Sequence, residues 1–174
     1  MRDLADSTRI ERFMGELGRT VPVDVRIYFT GGATAVLRGW REPTIDVNVK
    51  LIPDRDEILR EISRLKEQLN LNVELAAPSD FIPLPAGWEA RSPLIRREGN
   101  VSFHHFDPIA QALSKIERGH DQDLQDVKEM IARDLVDPEE ARAQFEAIEP
   151  ELYRFPAIDP TSFRDAVKRA LRTD

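Results

Sequence analysis

Three short segments hold the residues able to do phosphate or metal chemistry. In "YFTGGATAVLRGW", residues 28–40, an apolar run closes on Gly31-Gly32. In "REPTIDVNVKLI", residues 41–52, Asp46 and Asn48 alternate with aliphatics, and in "NVELA", residues 72–76, Glu74 sits between Val73 and Leu75. A glycine pair after a strand lets the backbone turn tightly and approach a ligand closely. Where a helix follows, the unpaired amides of its first turn favour phosphate. Side chains two apart on a strand project to one side, so positions 46 and 48 stand together. Oxygen donors paired in this way suit Mg²⁺, which takes one or two carboxylates and completes its shell with water and nucleotide phosphate. The chemistry implied is the joint binding of an NTP and Mg²⁺.

Each feature also has a plainer reading. A lone glycine pair is a turn, Asp46 and Asn48 alone are the solvated face of a half-buried strand, and Glu74 alone is a surface carboxylate. The register between Gly32 and Asp46 favours the site. Lys115 and Arg118 either offset phosphate charge or cover helix surface with their stems. Asp123 and Asp126 would reach Lys115 only along an unbroken helix; Gly119 predicts a break, which leaves them as first-turn charges of the next helix. His104 and His105 occupy adjacent strand positions and face opposite ways, poor geometry for a shared metal. With the isolated His120, they are read as non-ligands. Trp40 and Trp88 are assigned to packing rather than to base stacking. P-loop, nucleophile-elbow and thiol chemistry have no foothold, for the motifs and any cysteine are missing from the sequence.

These residues need elements to position them. Hydrophobic spacing predicts a helix from about Ser7 to Leu17, a strand over Val25–Thr30, and a short helix from Ala33 to Gly39. A strand follows over Thr44–Ile52, then a helix over Asp54–Leu69 opened by Asp54, Asp56 and Glu57, and a strand in residues 72–76. Residues 92–106 read as a hairpin turning at Gly99-Asn100. Asp-Pro pairs at 107–108, 137–138 and 159–160 announce three helices, because aspartate caps free amides and proline at the first position forfeits no hydrogen bond. A further helix spans about Asp121 to Arg133. The pattern predicts an α+β fold: a small mixed sheet with flanking helices in residues 1–106, and a helical C-terminal portion in residues 107–174.

Composition sets the outer limits. The 174 residues are 41% hydrophobic and 33% charged, ordinary values for a globular chain. Absence of cysteine excludes disulfides and thiolate metal sites and suits a reducing cytoplasm. No apolar run approaches a membrane span, and the charged start "MRDLADSTRIERF" does not read as a secretory signal. A net charge of −7 argues against generic nucleic-acid coating. Arg38, Arg41, Arg91, Arg96, Arg97, Lys115 and Arg118 are nevertheless available for a local basic patch.

Gly31-Gly32, a short helix, Arg41, Thr44 and then Asp46-Val47-Asn48 together resemble the signature of the minimal nucleotidyltransferases of the polymerase-beta superfamily. The likeness is greatest to the group containing abortive-infection toxins. It continues into "FDPIAQALSKIERGHDQDLQDV", where Lys115, Arg118, Asp123 and Asp126 match a pattern of the toxin-like relatives, and so covers roughly residues 25–130. The resemblance implies a metal held by Asp46, Asn48 and Glu74. It implies nucleotide binding by Gly31, Gly32, Thr34, Arg118 and Asp123, and a catalytic set of Asp46, Asn48, Glu74 and Lys115. It implies transfer of a nucleoside monophosphate from an NTP to a tRNA or protein acceptor, and a cognate antitoxin as partner.

Asn48 departs from the Asp-x-Asp pattern. An amide can still offer one oxygen, but it brings no charge and cannot act as a base. Three explanations stand: a weakened or repurposed enzyme, a catalytically inactive relative kept for binding, or an introduced Asp-to-Asn change that lets a toxic enzyme be produced. A binding or regulatory module of the same fold is therefore the alternative function. An unrelated α+β interaction protein is a third.

Overall fold

A computed structural model of the chain describes residues 1–172. The contacts divide the chain into two compact units, Met1–Ala77 with Ser92–His105, and Pro78–Arg91 with the chain from Phe106 onward. The architecture is the expected α+β one.

The first unit contains α1 (Ser7–Thr20), β1 (Val25–Thr30), α2 (Gly32–Arg38), β2 (Asp46–Ile52), α3 (Asp56–Gln68), β3 (Asn72–Leu75), β4 (Leu94–Glu98) and β5 (Val101–His105). Its five strands form one sheet in the order β3-β2-β1-β5-β4. β1 runs antiparallel to β2 and parallel to β5, while β2 and β3 are parallel, as expected for strands joined through the crossover helix α3. β4 and β5 make the predicted hairpin, with Gly99 at φ +57°.

Period-two alternation sorts the sheet into two faces. Ile27, Phe29, Val47, Val49, Val73, Val101 and Phe103 face the core with Ile10, Phe13, Met14 and Leu17 of α1 and Ile58, Ile62 and Leu65 of α3. Phe29 anchors this layer, edge-on to Phe13 at 6.5 Å and stacked on Phe103 at 5.8 Å. Each such side chain contributes about 1.5–3 kcal/mol on burial, enough to fix the register and therefore what the polar face presents. Several boundaries differ from expectation by a residue or more; β2, for one, starts at Asp46 rather than Thr44. α1 runs on to Thr20 and stops because Val21 precedes Pro22 and is extended, at φ −83°, ψ 117°. α3 starts at Asp56, its first bond running from Ile58 N to Arg55 O, so Asp54 lies outside the first turn.

The second unit contains α4 (Pro108–Arg118), α5 (Asp121–Ala132), α6 (Pro138–Ile148) and α7 (Pro160–Ala170), with 3₁₀ turns at Pro78–Asp80 and Glu149–Arg154. All three Asp-Pro pairs open helices. Asp107, Asp137 and Asp159 accept from the amides of Ile109, Glu139 and Ser162 at 3.0, 3.1 and 2.9 Å. α4 packs against α5, α6 and α7, burying Ile109, Leu113 and Ile116, and Phe145 meets Phe163 edge-on at 4.9 Å. Among the described residues, no helix is long and apolar enough to cross a membrane.

Candidate functional site

The glycine turn is built from both its neighbours. β1 ends at Thr30, and Gly31 takes φ +62°, ψ −130°, a conformation that a side chain would strain. Gly32 opens α2, and a Cβ there would lie 2.0 Å from Thr44 Oγ1 and 3.0 Å from Arg41 Nη1. Thr44 has little freedom to yield. Its backbone exchanges hydrogen bonds with Ala5 at 2.8 and 2.9 Å, and its hydroxyl donates to Asp46 O at 3.1 Å. The two glycines therefore answer different demands, one conformational and one steric.

Across the sheet, Thr30 pairs with Asn48, which brings position 48 to the turn: a Cβ on Gly31 would sit 3.4 Å from Asn48 Nδ2. On the other side of β2, Asp46 pairs with Asn72 and Asn48 with Glu74. The polar face thus carries a two-by-two array in which each carboxylate neighbours an amide across the strands. Asn72 Nδ2 donates to Asp46 Oδ1 at 2.5 Å and to Glu74 Oε1 at 3.0 Å. Asn48 Oδ1 is buried and receives no hydrogen bond. Register sets Asp46, Asn48 and Glu74 side by side on this face, and Asn72 completes the group. Motif spacing does not single out Asn72, although it lies two residues before Glu74 and so on the same face.

Among the described residues, no three His, Cys, Asp or Glu side chains form a possible metal site. The donor set here is two carboxylates and an amide oxygen without a donor of its own. That set fits a hard cation such as Mg²⁺, which needs few carboxylates when phosphate supplies the remainder.

Behind the turn, Thr34 is 3% exposed and its hydroxyl donates to Phe29 O at 3.3 Å. Its oxygen lies 3.2 Å from His105 Nδ1. Because the one hydroxyl proton goes to the carbonyl, His105 is the donor in that contact. Burial, followed by the nearby Arg38 charge, pushes the His105 pKa down to about 3. Arg38 is itself lowered by burial, and its Nε is buried without a partner. His104 faces the other way, stacked on Tyr28 at 5.0 Å with Nδ1 3.2 Å from Ser92 O.

Lys115, Arg118, Asp123 and Asp126 form an ionic cluster within the second unit. Lys115 Nζ lies 2.8 Å from Asp126 Oδ2 and 3.5 Å from Asp123 Oδ1. Arg118 grips Asp123 through both carboxylate oxygens at 2.7 and 2.5 Å. This corrects the expectation that the aspartates reach Lys115 only along an unbroken helix. The break at Gly119 is present, with φ +70°, and it turns α5 back against α4, so the carboxylates arrive from the second helix. Burial raises the Asp123 pKa, but hydrogen bonds from Arg118 and the charges of Lys115 and Arg118 outweigh it and hold the carboxyl below its ordinary value.

Most of the cations available for a basic patch are likewise paired. Arg91 binds Asp107 at 2.8 Å, Arg97 binds Asp24 at 2.9 Å, and Arg96 lies between Glu11 and Glu98. Trp88 stacks on Phe106 at 4.6 Å, a packing role.

Comparison with known proteins bears on this arrangement. A family described as "nucleotidyltransferase of unknown function (DUF6036)" matches residues 10–157. Neither curated proteins nor solved structures gave a match.

Proposed function

Because the chain belongs to this DUF6036 family of nucleotidyltransferases, we propose that it transfers a nucleoside monophosphate from an NTP to a hydroxyl acceptor at the Gly31 turn and the acid–amide array. The observation carrying this reading is the strand register: Thr30 stands opposite Asn48 and Asn48 opposite Glu74, so the amide at position 48 lies at the glycine turn and the two carboxylates follow on the same face.

In this reading, the backbone at Gly31 and Gly32 holds the triphosphate. Thr34 is tied to Phe29 and His105 and positions the turn from behind. Asp46, Glu74 and Asn48 Oδ1 are the groups that would hold Mg²⁺. When bound, the ion supplies positive charge against the phosphates. The acceptor oxygen forms a bond to the α-phosphorus while the bond to the bridging oxygen breaks. Pyrophosphate leaves with that electron pair, and Glu74 takes the hydroxyl proton. Positioning and electrostatics dominate such transfers, so few residues suffice.

The resemblance to abortive-infection toxins extends the proposal to a tRNA or protein acceptor and an antitoxin partner, acting in the cytoplasm where NTPs are abundant. A second reading rests on Asn48: with an amide in the second acidic position, the same pocket would bind nucleotide without turning it over. The deciding experiment incubates the protein and Asn48→Asp with each labelled NTP, Mg²⁺, and either tRNA or protein lysate. Label transferred to a macromolecule supports the enzyme. Nucleotide binding without transfer by either protein supports the binding module.

A further inference from the structure

We propose that Asn72 is a positioning residue that clamps Asp46 and Glu74 into one cation-binding pair. The inference rests on the reading of this face as a cation and nucleotide site, and assigns to it a residue outside the Asp-x-Asp signature.

The geometry is specific. One amide nitrogen carries two hydrogens, and here each is directed to a different carboxylate, Asp46 Oδ1 at 2.5 Å and Glu74 Oε1 at 3.0 Å. Chemistry fixes the orientation of the amide, because its oxygen in that position would face two anionic acceptors with no proton to share. Strand pairing sets the reach: Asn72 is the β3 partner of Asp46, and Glu74 is the next residue on the same face. Without the amide, two neighbouring carboxylates repel each other, and the exposed Glu74 side chain is free to turn into solvent. Each carboxylate has about four lone-pair positions. The clamp uses one on each and leaves the second oxygens, Asp46 Oδ2 and Glu74 Oε2, available to a cation. Asn72 thus fixes the ligands from outside without competing for the whole of either group, as outer-shell partners of metal sites do.

The clamp accounts for two amides in one array. Asn48 presents an oxygen without a donor, whereas Asn72 presents a nitrogen with two acceptors. The amides therefore have opposite jobs, one as a ligand and one as a holder of ligands.

The test titrates Mn²⁺ alone into the full chain, with free ion counted by its paramagnetic resonance signal, so no turnover is required. Removing both hydrogen bonds with the near-isosteric Asn72→Leu should weaken Mn²⁺ binding about 10- to 100-fold, the range for loss of an outer-shell partner. Asn72→Gln, which keeps an amide donor at this position, should retain most of the affinity. A role confined to fold stability moves both variants the same way, in step with their melting temperatures. Equal binding by the native protein and Asn72→Leu, or equal weakening by both substitutions, overturns the clamp and leaves the nucleotidyltransferase reading intact. Failure of the native protein to bind Mn²⁺ even with a non-hydrolysable NTP overturns both.

Discussion

Lys115 Nζ sits 2.8 Å from Asp126 Oδ2, although Gly119 ends the helix of the first and the second belongs to the next. Both side chains are almost fully enclosed, at 7% and 1% exposure. Removing one member of a buried pair takes compensation away from a charge that stays buried, at a cost of up to about 3–5 kcal/mol, of which Asp123, 3.5 Å from Lys115, and Gln122, 3.3 Å from Asp126, relieve a part. Asp126→Asn and Lys115→Met should each lower stability by that order in denaturant unfolding. The double variant Lys115→Met/Asp126→Leu should recover part of the loss, because it leaves neither charge stranded. Losses that simply add would show that the two side chains act independently.

This pair marks where the sequence is legible and where it is not. Strand alternation in residues 44–52 announces the face of Asp46 and Asn48, and the Asp-Pro pairs announce three helix starts, because both signals are local. The return of α5 onto α4 depends on packing between helices, so in the sequence the break at Gly119 separates Asp123 and Asp126 from Lys115. Asn72 is hidden for a related reason. Its partners are chosen by pairing between β2 and β3, and it comes into view only once the strands are placed in register. The steric need for Gly32 is equally hidden, since Thr44 meets it through the fold rather than through spacing.

His105 sets a pH dependence whose sign follows from its environment. Its pKa in the fold is about 3, against an ordinary 6.5, because burial and Arg38 disfavour the charged ring. Between those values the unfolded chain binds a proton that the folded chain does not, so stability falls as pH falls through that window. From pH 7 to pH 5, where carboxylates contribute little, the loss should be about 2 kcal/mol, because each pH step below the ordinary histidine value costs about 1.36 kcal/mol. His105→Gln keeps a donor for Thr34 and removes the titration. Its stability, whatever its absolute value, should be nearly flat over the same range by urea unfolding, and an unchanged slope would refute the assignment.

The two glycines of the turn should fail differently when substituted. Gly32→Ala puts a methyl group 2.0 Å from Thr44 Oγ1, and Thr44 is held by Ala5 and Asp46. Overpacking of this kind costs about 1–3 kcal/mol, and adding Thr44→Gly should return part of it. Gly31→Ala meets only Asn48 Nδ2, at 3.4 Å. Its cost comes from the positive φ, about 1–3 kcal/mol, and Thr44→Gly should not relieve it. Thermal unfolding of the single and double variants separates the two causes.

Asn48→Asp should convert a tolerated buried acceptor into a cation-dependent one. Asn48 Oδ1 receives no hydrogen bond, and the position lies between the Gly31 turn and Glu74. A carboxylate placed there has no donor to replace water and a second acid as its cross-strand neighbour. Without divalent ions, the variant should therefore be less stable than the native chain by about 1–3 kcal/mol, the cost of an unsatisfied buried polar group. Divalent ions should reverse the order. A ligand at 100 times its dissociation constant stabilises by about 2.7 kcal/mol, so Mg²⁺ should raise the melting temperature of Asn48→Asp more than that of the native chain. Melting curves in EDTA and in Mg²⁺ give the comparison directly. Equal Mg²⁺ shifts for the two proteins would mean that position 48 does not face the cation, and the roles proposed for Asp46 and Glu74 would then lose their support.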